Sequence, residues 1–240
     1  MKDAIRRNFD ASAVTYREFE AETGQFETLA ARLATVVDDA LADDPVRLLD
    51  AGAGTGASTR RLRTVGDAVV ALDLSREMLL ENPTTDRVQG DFDALPFAVD
   101  GFDAVVFTAS LFLTPDPERA VAEASRVLRS GGVVAAVAPL GWYAADGRDV
   151  FETLARDSRS PSDATDIEAE LQDRFALETG TWESEISADH LRQFYSIPAV
   201  AARLYPTLPP DERVQKARTL LADVEGPLEQ RWRWLLGRNE

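Results

Sequence analysis

The sequence predicts an α/β protein with a mostly parallel sheet that is covered by helices on both faces. Short apolar runs alternate with amphipathic segments, which is the pattern of repeated strand–helix units. A glycine-rich stretch, AGAGTG at 51–56, follows the first apolar run, where a strand turns sharply into a helix. The length of 240 residues, with 45% hydrophobic and 28% charged residues, suits one domain with a substantial core.

Short apolar runs predict the strands, and apolar residues that recur every three or four positions predict the helices. We expect strands at 46–50, 67–75, 87–90, 102–110, 131–139, 175–183 and within 229–240. We expect helices at 10–40, 58–65, 76–82, 117–129 and 147–157, then a polar loop, and two or three helices at 187–223. The last group of helices forms an insertion between two late strands, of which one is antiparallel.

The charge balance bears on the partners and on the surface. A formal net charge of −16 argues against a nucleic-acid backbone as a partner, because an acidic surface repels phosphates. Of the 26 basic residues, only Lys2 and Lys216 are lysine. Acid excess with few lysines is typical of an acidic, halophile-like surface in a high-salt cytoplasm. A GC-rich genome, which favours arginine and aspartate codons, produces the same bias.

Missing sequence features narrow the class of protein further. No apolar run approaches the roughly 20 residues of a membrane helix, and the first residues lack the apolar core of a secretory signal. We therefore expect a cytoplasmic protein with no membrane partner. The absence of cysteine excludes disulfides, thiolate metal ligands and a cysteine nucleophile, and no converging set of ligands suggests a metal site.

The glycine-rich stretch leaves two kinds of ligand open. The motif GAGTGA, from Gly52 to Ala57, fits the dinucleotide fingerprint, with Asp73 about 20 residues later. Asp50, however, places a carboxylate beside the loop, where it repels a pyrophosphate and attracts a positively charged ligand. The segment GDFDALPF after the third strand adds an acid and an aromatic residue, which suit an adenine amine and ring.

Taken in order, the motifs LLDAGAGTG, ALDLSREML, GDFDALPF, FDAVVF and RVLRSGG resemble those of the class I S-adenosylmethionine-dependent methyltransferases. The similarity is greatest to the small-molecule branch that holds the ubiquinone and menaquinone C-methyltransferases and the malonyl-carrier O-methyltransferase. It implies a Rossmann-like, seven-stranded class I methyltransferase sheet in a single domain, 1–240. The parts of that domain would be an N-terminal helical lid at 1–44, a cofactor-binding core at 45–186, a helical cap at 187–226 and the last strand at 227–240.

The resemblance also implies S-adenosyl-L-methionine as the cofactor, bound by Tyr16, Asp50, Ala51, Gly52, Gly54, Gly56, Asp73, Leu74, Met78, Asp91, Phe92 and Thr108. In that arrangement the loop lies under the methionine moiety beside Asp50, Asp73 binds the ribose hydroxyls and Asp91 binds the adenine amine. Thr108 borders the methyl group, and Tyr16 closes over the cofactor. These last two have simpler interpretations, as an ordinary β-branched strand residue and as a core aromatic residue.

Aromatic residues of the later part of the chain suggest the wall of an acceptor pocket: Trp142, Tyr143, Phe194, Tyr195 and Tyr205. The alternative is that they only pack the insertion against the sheet. His190, the single histidine, has no visible partner, and we interpret it as a surface or packing residue. The apolar segment 111–113, where relatives often carry a polar residue, favours an apolar acceptor and leaves no residue to assign as a catalytic base.

The function predicted from these features is methyl transfer to an O, N or C nucleophile of a small molecule. An NAD-dependent oxidoreductase is one alternative, but it leaves Asp50 and GDFDALPF unexplained. A non-catalytic cofactor-binding protein of the same fold is the other.

Overall fold

Seven strands form one mixed sheet in the computed structural model, which describes residues 1–41, 46–152, 154 and 163–240. The strands are β1 (Arg47–Ala51), β2 (Ala68–Asp73), β3 (Arg87–Gln89), β4 (Phe102–Thr108), β5 (Leu128–Ala144), β6 (Ala176–Ile186) and β7 (Leu228–Arg238). Their order is β3-β2-β1-β4-β5-β7-β6; β1 to β5 are parallel, and β7 runs antiparallel to both neighbours. This order confirms the predicted Rossmann-like fold with an antiparallel late strand.

Helices cover both faces of this sheet. They are α1 (Lys2–Asp10), α2 (Ala13–Thr23), α3 (Gln25–Ala40), α4 (Ala57–Leu62), α5 (Arg76–Glu81), α6 (Pro117–Val127), α7 (Ala164–Gln172), α8 (Ala188–Phe194), α9 (Pro198–Ala201) and α10 (Pro210–Leu220). One core lies between the sheet and α3, α4 and the cap, and the other lies between the sheet and α6 and α7. None of the helices described here is both long and apolar enough to cross a bilayer.

The central strands carry the apolar runs because they are covered on both faces. All seven residues of β4 are buried, and only the first residue of β1 is exposed. Asp50 pairs in register with Ala71 of β2 and with Val106 of β4. The carboxyl ends of these three strands therefore meet at one edge of the sheet, where their following loops converge.

The predicted helix at 10–40 is two helices, α2 and α3, and a further helix, α1, precedes them. Gly24, with a φ of +60°, ends α2 and begins α3, and this left-handed conformation is one that glycine adopts without strain. The chain breaks again at Ala11 and Ser12, between α1 and α2. As a result α3 packs on the sheet, whereas α1, which has no buried residue, lies over the strand ends.

The segment after β5 departs most from the prediction. β5 runs on to Ala144 because β7 pairs with it that far, and the described residues at 147–152 form turns, not the predicted helix. Residues 153 and 155–157 of that prediction lie outside the described residues. α7 stands where a polar loop was expected, and Asp163 caps it by accepting the N–H groups of Thr165 and Asp166 at 2.8 and 3.1 Å.

The cap consists of α8, α9 and α10, within the predicted range, and it is tied to the first helices. The Arg213 guanidinium donates through Nη1 to Asn8 Oδ1 at 2.9 Å. The N–H of Ala199 donates to the Ser12 hydroxyl at 3.0 Å. Since Asn8 belongs to α1 and Ser12 follows it directly, the cap and α1 are linked at the carboxyl end of that helix.

Candidate functional site

A cleft of about 870 Å³, partly open to solvent, lies where the carboxyl ends of β1, β2 and β4 meet. Its floor is the glycine-rich loop and the first turn of α4, and its two sides are the segments after β2 and β3 and the segment after β4. Residues of α1, α2 and α3 form its roof. Ligands of open α/β sheets bind at this edge, so the cleft is the candidate site.

Nine of the predicted cofactor residues line the cleft: Tyr16, Gly52, Gly54, Asp73, Leu74, Met78, Asp91, Phe92 and Thr108. The other three, Asp50, Ala51 and Gly56, do not. Asp50 and Ala51 are fully buried, and a Cβ on Gly56 would meet Asn82 at 2.7 Å, not the cleft. Ligand contact by these three residues stays a prediction, since they lie behind the residues that line the cleft.

The loop itself brings bare backbone to the cleft. Gly52 has a φ of +81°, and a Cβ there would lie 2.4 Å from the Cβ of Ser110. The N–H groups of Gly52 and Ala53 both donate to the carbonyl of Leu72, at 2.8 and 3.0 Å. The N–H of Gly54 donates to Asp73 Oδ2 at 2.9 Å. The loop is therefore fastened to β2 through its own amides.

Asp73 ends β2 and faces the cleft from beneath its roof. Its Oδ1 accepts the N–H of Ser75 at 2.8 Å, so each carboxylate oxygen has one donor and a lone pair left for a ligand. Enclosure in the protein raises the pKa of Asp73 to about 6, and the nearby Asp10 carboxylate adds to this, whereas the N–H donors oppose it. A ligand that brings hydroxyl donors or positive charge would stabilise the ionised form.

Asp50 lies directly under the loop, at the end of β1. Its Oδ2 accepts from the hydroxyls of Ser58 and Thr59, at 2.7 and 2.6 Å, in the first turn of α4. Its Oδ1 is buried and has no hydrogen-bond partner among the described residues. Burial raises the pKa of Asp50 from 3.8 to about 6, against the two hydroxyl donors. Asp50 thus acts on the cleft through its charge and through the loop that it supports.

The segment after β3 holds an ion pair that the sequence did not suggest. Asp91 Oδ2 lies 2.7 Å from the Lys2 Nζ of α1, and its Oδ1 accepts the N–H of Asp93 at 3.0 Å. Lys2 also pairs with Asp93, whose side chain is only 3% exposed. The Phe92 ring stands edge-on to Phe107, with centroids 5.6 Å apart. The acid and the aromatic residue predicted here thus both line the cleft, and Lys2 is an additional functional candidate.

Thr108 closes the opposite side, at the end of β4. Its hydroxyl is buried and unpartnered among the described residues, although the residue lines the cleft. The neighbouring hydroxyl of Ser110 is occupied, because it donates to the carbonyl of Ala51 at 2.6 Å. Of these two hydroxyls, that of Thr108 is the one without a partner among the described residues.

The roof is aromatic and carries one carboxylate. Tyr16 stacks on Phe26 with centroids 5.3 Å apart and is tilted against Phe9 at 6.3 Å. Glu20 accepts the N–H groups of Phe26 and Glu27 at 3.0 and 2.7 Å, so it caps α3, and burial raises the pKa of its carboxyl. The aromatic residues belong to the apolar pattern of the first helices, whereas nothing in the sequence pointed to Glu20.

The five residues predicted to wall the acceptor pocket do not line this cleft. Trp142, Phe194, Tyr195 and Tyr205 are buried in the core that joins the cap, α2, α3 and the sheet. Phe194, for example, packs against Phe19, Phe26 and Trp142 at 5.5, 6.1 and 5.8 Å. Tyr143 is half-buried on β5 under the Arg231 guanidinium, 4.2 Å from the ring centroid. Their packing favours the alternative that these residues join the insertion to the sheet, and an acceptor wall stays a prediction.

His190 packs as the sequence suggested. Its Nε2 lies 2.5 Å from Gln25 Oε1, and its ring stands edge-on to Phe19 at 5.4 Å. Burial lowers the pKa of His190, so the ring is neutral at pH 7. It is not among the residues that line the cleft.

The residues of the cleft fit a positively charged nucleoside. Asp73 and Asp91 keep free lone pairs for hydroxyl or amine donors, and the buried Asp50 and Thr108 have oxygens that lack a partner among the described residues. A side chain on Gly52 would fill the space over the loop. S-adenosylmethionine has ribose hydroxyls and an adenine amine, which match these hydrogen-bond acceptors. Its ammonium and sulfonium match the negative charge of the carboxylates.

Residues 49–136 match the family model for a methyltransferase domain. Demethylmenaquinone methyltransferase of Renibacterium salmoninarum is 43% identical over 101 residues, 40% of this chain and 43% of that protein. Malonyl-[acyl-carrier protein] O-methyltransferase of Enterobacter lignolyticus is 34% identical over 162 residues, 65% of this chain and 56% of that protein. The chain spans about half the length of these curated relatives.

Among solved structures, the YcgJ protein of Bacillus subtilis has the same fold. It superposes with a TM-score of 0.61 at 19% identity, over 87% of this chain and 98% of that protein. The sheet order, the glycine-rich loop between β1 and α4, and the matched residues lead to one conclusion: the chain has the Rossmann-like fold of the class I methyltransferases, and its residues 49–136 form a methyltransferase domain.

Proposed function

We propose that this protein binds S-adenosyl-L-methionine in the cleft and transfers its methyl group to a small molecule that is apolar near the reacting atom. One observation favours a cationic nucleoside over a dinucleotide as the ligand. The N–H groups of Gly52, Ala53 and Gly54 are donated inward, to Leu72 and Asp73. A pyrophosphate needs such amides free, and it would meet Asp50 and Asp73 instead. A cationic ligand meets favourable charge at the same place.

The bound cofactor supplies a methyl group already activated by its sulfonium, so the reaction is a displacement at carbon. The carboxylate of Asp73 accepts from the ribose hydroxyls, and that of Asp91 accepts from the adenine amine. The negative charge of Asp50 beneath the loop favours the ammonium end. What the protein adds to the chemistry is alignment and exclusion of water, and no general base is assigned.

Apolar side chains favour an apolar acceptor. Beyond the residues assigned to the nucleoside, the larger apolar residues that line the cleft are Ile5, Phe9, Phe26, Leu113 and Pro115, beside polar residues such as Lys2, Glu20 and Thr55. Of the apolar segment 111–113, only Leu113 reaches the cleft; the other two residues are buried beside β4. The names of the two relatives denote a demethylmenaquinone and a malonyl thioester carrier, so the acceptor panel starts from quinols, phenols and carboxylic acids.

Calorimetry with S-adenosylhomocysteine and with NADH tests the nucleoside. We expect binding of the first only, and Asp73→Ala should weaken it at least tenfold because the ribose hydroxyls lose a buried acceptor. The matched control is Asp67→Ala, since Asp67 lies at the other end of β2, where it accepts the N–H of Val46. Equal losses in the two variants would contradict the assignment of Asp73, and tight binding of NADH would contradict the nucleoside.

Transfer of labelled methyl to the acceptor panel tests the reaction. Labelled product from any member supports a methyltransferase. Full occupancy by S-adenosylhomocysteine, with no product from any member, favours the non-catalytic alternative.

A further inference from the structure

Helix α1, called the strap below, lies across the cleft and is attached to the rest of the protein by polar contacts. Lys2, Ile5 and Phe9 line the cleft from above, and none of the nine residues of α1 is buried. A helix of this length is about 13 Å long, enough to reach across the adenine end of the cleft. Its ends carry the polar contacts that hold it, and Phe9 adds packing against Tyr16.

The carboxyl end of α1 is held at several points. Asp10 accepts from the Ser75 hydroxyl at 2.7 Å and from the N–H of Glu77 at 3.4 Å. Asn8 is bound by Arg213 of the cap. This end is thus fixed both to the start of α5 and to α10.

The amino end depends on one side chain. In the described part of the chain, Lys2 makes every side-chain hydrogen bond or ion pair by which residues 2–5 hold the body. Its ammonium lies between the carboxylates of Asp91 and Asp93. Asp93 is nearly buried and has a second donor in the Thr114 hydroxyl, at 3.0 Å. Removing Lys2 would leave two neighbouring carboxylates without their shared cation.

Lysine suits the position between the Asp91 and Asp93 carboxylates. The chain uses arginine for 24 of its 26 basic residues, yet lysine stands here. An ammonium is a compact charge that fits between two carboxylates, whereas a guanidinium presents a planar fork. Asp91 can accept the adenine amine with a remaining lone pair while Lys2 stays bound.

We propose that Lys2 is a positioning residue that holds α1 closed over the adenine end of the cleft through Asp91 and Asp93. Release of the nucleoside then requires both ion pairs to open. The proposal rests on the proposed function, because it takes the cleft to be the nucleoside site.

The test is the dissociation rate of S-adenosylhomocysteine, measured by stopped-flow or surface plasmon resonance. Lys2→Met should release it about tenfold faster, the size of change expected when a partly buried ion pair is lost. Lys216→Met, which removes the same charge from α10, is the control and should match the wild type. Raising KCl from about 0.1 M to about 1 M should speed release from the wild type and change Lys2→Met little.

Hydrogen exchange gives a second readout in the same complex. The amides of residues 2–10 should exchange faster in Lys2→Met than in the wild type, while those of β4 stay protected. A dissociation rate within twofold of the wild type, or tighter binding by Lys2→Met, would overturn the proposal, the latter because Lys2 would then compete with the adenine amine. If wild-type protein does not bind S-adenosylhomocysteine at all, the proposed function fails instead.

Discussion

The floor and the roof of the cleft are built in different ways. The floor consists of the ends of β1, β2 and β4 and the loop between β1 and α4, all joined by backbone hydrogen bonds and packed on both sides. The roof has an inner layer, α2 and α3, packed through aromatic rings, and an outer strap, α1, without a buried residue. The same ligand would touch all three.

This difference separates two tasks. The floor positions hydrogen-bond acceptors whose geometry is set by the sheet. Substitutions in the floor should therefore change both the stability of the fold and the affinity for the ligand. The polar contacts of the strap are open to solvent and can break and re-form. Substitutions in the strap should therefore change mainly the dissociation rate of the ligand. The inner layer lines the cleft with one side and packs on the cap with the other, so its cap-facing side should act on stability alone. Three further experiments sharpen this division.

The largest effect should come from the core between the cap and the inner layer of the roof. Phe194→Ala removes a ring that packs against Phe19, Phe26 and Trp142, and it should lower the free energy of unfolding by about 3–5 kcal/mol. Affinity for S-adenosylhomocysteine, measured where the variant is folded, should change little. Phe194→Leu, a milder variant, should lie between. If the variant keeps its stability but binds the ligand differently, Phe194 would again be assigned to the wall of the acceptor pocket.

A methyl group on the floor should have the next largest effect. Gly52→Ala places a side chain at a φ of +81°, which costs about 1–3 kcal/mol, and overpacks it against Ser110 at a similar further cost. Gly131→Ala is the matched control, because Gly131 has a φ of +76° with open space around its Cβ position. Only Gly52→Ala should also lose affinity for S-adenosylhomocysteine. Ser110→Gly in the same chain should recover part of the stability; no recovery would contradict the steric explanation.

The smallest effect depends on pH. The pKa of Asp50 in the folded protein, about 6, exceeds its ordinary value of 3.8, so the stability from this group is complete below pH 3.8 and is lost as the pH rises through 6. Asn cannot ionise. The free energy of unfolding of Asp50→Asn, relative to the wild type, should therefore rise with pH by up to about 3 kcal/mol. Urea denaturation at several pH values measures it, and a difference that does not vary with pH would contradict burial as the cause.

The floor could be predicted from the sequence because its residues follow from local rules. An acid at the end of an apolar strand, followed by a turn, places Asp73 at the edge of a parallel sheet whatever the rest of the chain does. The order of motifs supplied the remaining assignments. Asp50 shows the limit of this reasoning, since the motif located its backbone but not the side of the loop on which its carboxylate lies.

The roof could not be predicted in the same way. The pair between Lys2 and Asp91 joins residues 89 positions apart, and no local pattern marks either as the partner of the other. The aromatic residues of the cap were assigned to a pocket because hydrophobicity alone does not distinguish a wall from a core. α7 was missed because Asp163, in a run of polar residues, is a capping signal that also suits a loop.

The bond between Arg213 and Asn8 makes the cap and the strap one lever. The strap is therefore attached to the cap at its carboxyl end and to the segment after β3 at its amino end, so a substitution in the cap can alter the strap without touching the cleft.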